Sequence, residues 1–191
     1  PTIRNLLKKI NFPLAIPSAN ISSRISPVTA MDVIDEFGKK IKIVLNGGRS
    51  KIGLESTVIN LSGKAEILRP GAISKKEIEK ILKKRIFFSK NKKKILSPGL
   101  LKKHYSPGIP MKLNCSKCED KAAFIVFGKK YKEYKNSFNL SKKGNLKEAG
   151  KNLYKIFRKI KERRYKMICV VKIPNKDLGI AINDRLKKAS Y

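Results

Sequence analysis

Apolar runs and one amphipathic stripe alternate from Met111 onward, and that alternation limits what the chain can fold into more than any single motif does. Ala122 to Phe127 is a continuous apolar run closed by Gly128, the pattern of a strand buried on both faces. Phe138-Asn139-Leu140 reads as a second short strand. Asn145 then caps a long helix that carries Leu146, Ala149, Leu153, Ile156, Phe157 and Ile160 on one face and lysines on the other. Met167 to Ile173 is a third strand, stopped by Pro174, and Asp177-Leu178-Gly179 opens a last helix through Ile182 and Leu186. The order strand, strand, helix, strand, helix predicts a small α/β domain with a mainly parallel sheet.

The earlier residues read differently. Ile3, Leu6, Leu7 and Ile10 fall at helical spacing, Leu14-Ala15-Ile16 is a short buried-strand candidate, and Ile41 to Leu45 is a strand ended by Asn46-Gly47-Gly48. Thr29 caps a helix with Val33, Ile34 and Phe37 on one face and Gly38 at its stop. Ser74, with Glu77 three residues on, forms a capping box for another. Between these helices, Gly53 to Gly71 reads as a hairpin turning at Ser62-Gly63. Its polar cargo is unusual: Glu55, Ser56 and Thr57 interrupt an apolar frame, and a polar triplet there must find partners or act as a site. Arg69, just before Pro70-Gly71, offers a planar fork of donors suited to phosphate or carboxylate. The loop from Pro17 to Thr29 gathers Ser18, Asn20, Ser23, Arg24 and Ser26, donors fitted to a phosphate and a ribose. The Lys83 to Lys94 tract reads as a solvated connection. The Pro/Gly-bounded stretch from Ser97 to Gly108 reads as a linker, although a mere spacer would not need His104 and Tyr105.

Charge bears on partners. The 191 residues hold 37 Lys and nine Arg against 14 acidic residues, a formal net charge of +32 that invites a polyanion such as RNA. The lysines are scattered over nearly every segment, however, which fits a general surface bias better than one dedicated nucleic-acid face. Cys115, Cys118 and Cys169 are an odd number with no secretory leader, so a reducing, cytoplasmic setting is expected and not a disulfide scaffold. The lone Cys115-Ser-Lys-Cys118 motif lacks the four ligands of a structural zinc site, and no metal is expected there. No apolar run approaches the ~20 residues of a membrane span.

Taken in order, the segments PSAN, SPVT, LNGG, GLESTV, LRPG, SPGLLKKHYSP and LGIAINDRL resemble the threonylcarbamoyl-AMP synthase family in its two-domain form. The resemblance implies an incomplete, twisted α/β YrdC-like domain over 1–95, a linker or lid over 96–111, and a small α/β, Rossmann-like C-terminal domain over 112–191. It implies a nucleotidyltransferase that makes threonylcarbamoyl-adenylate and pyrophosphate from ATP, L-threonine and bicarbonate, with Mg²⁺ accompanying ATP. Other proteins then modify an adenosine in tRNA. By the same resemblance Ser18, Asn20, Ser26, Arg69 and Tyr105 bind ATP, Ser56 holds threonine, and no catalytic nucleophile is needed. His104 is expected to pack within the lid and not to act as a base. The family's earlier motifs have no match in the chain, which begins at Pro1. A truncated YrdC-like domain is therefore expected, inactive alone and poorly folded before about residue 95. The alternative reading is a basic module binding RNA, double-stranded RNA included, without catalysis; it lacks any RNP-like or GXXG signature.

Overall fold

The computed structural model describes residues 2–89, 99, 101, 103–131 and 134–191. Helix α1 (Thr2–Leu7) precedes a long irregular stretch, and α2 (Ala30–Phe37) is capped by Thr29. The Thr29 side chain accepts from the Asp32 amide while Asp32 accepts from Thr29, a reciprocal cap that satisfies two otherwise orphaned donors. Strands β1 (Val58–Asn60) and β2 (Glu66–Arg69) are antiparallel across the Ser62-Gly63 turn. After β2 comes α3 (Lys75–Leu82), capped by Ser74 and Glu77, and then β3 (Phe87–Phe88), which pairs parallel to β2. Ile67, Ile78 and Ile86 form the small core of this three-stranded sheet. Part of the tract expected to be a solvated connection is thus structural, since Ile86 is fully buried and β3 lies inside it; residues 90–94 lie outside the described residues.

The rest follows the alternation of the sequence. Strands β4 (Met111–Lys112), β5 (Ala123–Val126) and β6 (Ser137–Asn139) precede α4 (Leu146–Glu162), β7 (Ile168–Val170) and α5 (Leu178–Ala189). The sheet order is β4-β7-β5-β6 and every pairing is parallel. Strands buried on both faces need continuous apolar runs, and β5 and β7 have them, because every residue of each is buried. Leu153, Phe157 and Ile160 of α4 have no exposed surface, and the lysines of that helix face outward.

The main core is not confined to this sheet. Ile25, Val28, Leu54 and Tyr105 belong to the same buried cluster as α4 and α5. The loop before α2, the Leu54 segment and the linker tyrosine therefore all pack on the C-terminal helices. Gly53 is where the approach is closest: it sits at φ +77°, and a Cβ there would lie 2.7 Å from the Lys151 Cα of α4. Gly53→Ala should cost about 1–2 kcal/mol from backbone conformation alone, with the clash added to it. Urea titration would read this as a lower midpoint, and an unchanged midpoint would show that the segment can leave α4 freely.

Two expected strands do not form. Residues 14–16 and 41–45 join no described strand, with a bend at Lys42, and Ile16 and Ile43 are 67 % and 78 % exposed. Their composition suits a strand. A strand is stabilised through its neighbours, though, and these two take part in no ladder among the described residues.

Candidate functional site

Three segments meet where the C-terminal helices press against the loop, the hairpin and the linker. Glu55 stands at the centre. Its carboxylate accepts from Ser26 Oγ at 2.6 Å, from the Tyr154 hydroxyl at 2.9 and 3.1 Å, and from Arg185 Nε at 2.7 Å. Burial alone would push this carboxyl up; the Arg185 charge and the hydrogen bonds from Ser26 and Arg185 bring it below the ordinary 4.5. Glu55 thus stabilises the fold fully above pH 4.5, and that contribution is lost as pH falls through its lower, folded value. The stability gap between the wild-type chain and Glu55→Gln should accordingly narrow between pH 7 and pH 3, which urea titrations at several pH values would show.

Arg185 is completely buried on α5. Besides Glu55 it pairs with Asp184 Oδ2 through Nη1 at 2.6 Å, and its guanidinium lies 4.8 Å from the centre of the Tyr105 ring. Burial opposes its charge, but Glu55 and its neighbours outweigh burial and hold the pKa above the usual range. Asp184 also binds Lys188 Nζ at 2.8 Å. Tyr154 is buried beside Glu55, and both burial and that carboxylate push its hydroxyl well above 10.

A second arginine holds the same loop from α4. Arg158 Nη2 donates to the carbonyls of Ile25 and Ser26 at 3.3 and 2.9 Å, and its Nε pairs with Asp32 Oδ1 at 3.2 Å. The other oxygen of Asp32 accepts from the amides of Val28 and Thr29. A cleft of about 690 Å³ opens beside this loop, lined by Arg24, Asp32, Lys103, Ser106 and Arg158 among others.

Of the residues singled out in the sequence, Ser26, Ser56, Arg69 and Tyr105 are drawn together. Arg69 is nearly buried; its Nε and Nη2 donate to the Ser56 carbonyl at 3.2 and 3.0 Å, and Nη2 reaches Ser56 Oγ at 3.2 Å. It is less open than a strand-end clamp at the surface would be, because much of its fork already fixes the Ser56 segment. Gly71 lies against the Glu55–Thr57 backbone so closely that a Cβ would collide with it, so the turn after Arg69 and the EST triplet pack as one piece. Tyr105 is buried in the left-handed region at φ +61°, strain that its packing against Arg185, Tyr154 and His104 must offset. An alanine-type Cβ at Gly99 would approach both the Tyr105 hydroxyl and the Arg69 side chain, so Gly99 lies against these two groups.

Asn20 instead folds its loop, donating to the carbonyls of Ile21 and Arg24, and Ser18 is exposed at the entry to that loop. His104 is half-buried. Burial, opposed by Glu55 but reinforced by Lys188, Arg185 and Arg69, lowers its pKa, and its amide donates to the Lys188 carbonyl. Among the described residues no group of three or more His, Cys, Asp or Glu could hold a metal ion. Burial raises the pKa of all three thiols, that of Cys169 to about 11. Glu55 stands out in the sequence only as part of the polar triplet, and Tyr154, Arg158 and Arg185 are given no role there. The available signal was Arg185 itself, an arginine set among Ala181, Ile182, Leu186 and Ala189 on the buried face of α5.

A parallel α/β unit whose helices grip a hydroxyl- and arginine-bearing hairpin defines a class of two-part α/β proteins. Residues 73–190 match the family described as "Threonylcarbamoyl-AMP synthase, C-terminal domain", and residues 1–71 match "Telomere recombination". The chain belongs to the threonylcarbamoyl-AMP synthase family. It is 32 % identical to threonylcarbamoyl-AMP synthase of Pyrococcus abyssi, over 97 % of this chain and 60 % of that protein. To the Bacillus subtilis protein of the same name it is 26 % identical, over 100 % of this chain and 60 % of the relative. The fold superposes on the crystal structure of P. abyssi Sua5 complexed with L-threonine with a TM-score of 0.77 and 29 % identity, covering 91 % of this chain and 56 % of that one. The chain therefore spans somewhat over half the length of the relatives it matches. Among the described residues no helix is long and apolar enough to cross a membrane.

Proposed function

We propose that the chain supplies nucleotide- and threonine-binding residues of an L-threonylcarbamoyladenylate synthase acting in tRNA threonylcarbamoyladenosine formation. The observation that carries this reading is the convergence of Ser26, Ser56, Arg69 and Tyr105 around Glu55 in a member of that family. The threonine held by the P. abyssi relative supports the choice of amino acid. In the reaction, the threonine amine bonds to the carbon of bicarbonate and water leaves. A carbamate oxygen then attacks the α-phosphorus of ATP, the α–β P–O bond breaks, and pyrophosphate departs. Substrate alignment and charge neutralisation are what such a step demands, and no covalent enzyme intermediate is needed.

Arg69 neutralises phosphate charge, Ser26 with Ser18 and Asn20 lines the nucleotide, and Ser56 orients threonine. Tyr105 closes over the nucleotide with the linker, while the neighbouring His104 packs beside it and does not act as a base. Glu55 is committed to Arg185, and no carboxylate cage gathers among the described residues, so Mg²⁺ would come as the counterion that ATP carries on its phosphates. The product would pass in the cytoplasm to proteins that transfer the threonylcarbamoyl group to tRNA. The decisive assay is pyrophosphate release from ATP, threonine and bicarbonate. It should be run on this chain and on the chain mixed with the part of a relative that the match does not cover. Threonine-dependent release in either sample supports the reading, and none in both would overturn it.

A further inference from the structure

We propose that Arg185 and Arg158, both on C-terminal helices, are positioning residues of the nucleotide site that act through Glu55 and the Ser26 segment. This rests on the function proposed above for what the site binds. Ser26 lies in a loop whose described residues join no sheet; an isolated bridge between Arg24 and Ser106 is its link to the linker. Left to itself, a serine on such a loop samples several backbone and rotamer states. Two arginines, each more than 130 residues away along the chain, remove that freedom. Arg158 holds the Ile25 and Ser26 carbonyls, and Asp32, which Arg158 also binds, holds the next two amides. Arg185 fixes the Glu55 carboxylate, which in turn fixes Ser26 Oγ. The residue after Glu55 is Ser56, so the same ion pair sets the register of the Arg69 partner. The other face of Arg185 bears on Tyr105.

Stability alone gives little reason for this arrangement, because buried ion pairs are often no better than apolar side chains of equal volume. What a fixed fork adds is direction, and a hydroxyl that must meet a substrate needs it. The C-terminal unit would thus contribute to binding without touching the ligand.

The test uses the full chain with Glu55→Gln, Arg185→Met, the double variant and Arg158→Met. It combines calorimetric titration with MgATP and amide hydrogen exchange. Glu55→Gln and Arg158→Met should each weaken MgATP binding about tenfold or more, the scale on which small misplacements act. They should also speed exchange of the Val28, Thr29 and Ser106 amides while those of Ile156 and Phe157 in α4 keep their protection. The double variant should bind no more weakly than Arg185→Met alone, since both changes break one chain of contacts. Additive losses, unchanged loop exchange, or α4 amides exchanging in step with the loop would each overturn the proposal. If Arg185→Met does not fold, Glu55→Gln and Arg158→Met decide. If the wild-type chain takes up no MgATP, the nucleotide assignment falls and the positioning role with it, whereas MgATP bound equally by the wild type and the variants overturns the positioning role alone.

Discussion

Arg185→Met should lower the stability of the chain by about 3–5 kcal/mol, the range for breaking a buried ion pair by removing one partner. The magnitude follows from what the substitution leaves behind more than from what it removes. Arg185 has no exposed surface and its two partners, Glu55 and Asp184, are themselves largely covered. Methionine would fill much of the volume, but Glu55 would keep its charge among Tyr154, Ser26 and the Tyr105 ring with no cation beside it. Its carboxyl would then be pushed up towards protonation, and the variant should lose less stability in acid than at pH 7. Urea unfolding followed by far-UV circular dichroism reads this directly. A loss below about 1 kcal/mol would mean that water reaches Glu55 and that the pair behaves as a surface one.

Arg69→Ala should act on binding first. Removing a charge-assisted fork that faces a phosphate is worth about 1.5–3 kcal/mol, or roughly 10- to 150-fold in MgATP affinity. Where the full activity is reconstituted, pyrophosphate release should fall about a hundredfold or more. A secondary cost is built in, because Arg69 also fixes the Ser56 carbonyl and hydroxyl. Arg69→Lys separates the two effects: a lysine keeps the charge but cannot donate to both Ser56 oxygens and the ligand in the same plane. Affinity partly restored by lysine would assign the loss to charge. Equal losses in both variants would assign it to the geometry of the fork. Wild-type affinity in Arg69→Ala would remove Arg69 from the phosphate site altogether.

Local rules were legible in the sequence wherever a pattern is self-contained. The caps at Thr29, Ser74 and Asn145 fell where a short polar side chain meets a helical stripe, because a cap needs only residues within four positions. Strands β5 and β7 were legible because they lie at the centre of a parallel sheet and must be apolar throughout. The two-residue strands β3 and β4 were not, since a pair of residues carries no period. Residues 14–16 and 41–45 were read as strands from composition, which says nothing about whether a neighbour lies alongside. At the site, hydroxyls and Arg69 stood out because polar groups in an apolar frame are conspicuous. The partners of Glu55 did not, because Tyr154 and Arg185 sit on helical stripes where an aromatic ring or an arginine stem reads as packing.

The distance along the chain between Glu55 and Arg185 also governs when the site can exist during synthesis. The ribosome releases the loop, the hairpin and the linker long before α5, and those segments can form their capped helices and the β1-β2 turn at once. Glu55 meanwhile remains a solvated carboxylate, and the orientation of Ser26 stays open, until the residue at 185 has emerged and α5 has docked. Long-range closure of this kind is slow compared with local structure. A polypeptide halted before α5 would hold every predicted ligand-binding side chain, with Arg69 already on Ser56, yet Glu55 and Tyr105 would lack the guanidinium that holds them.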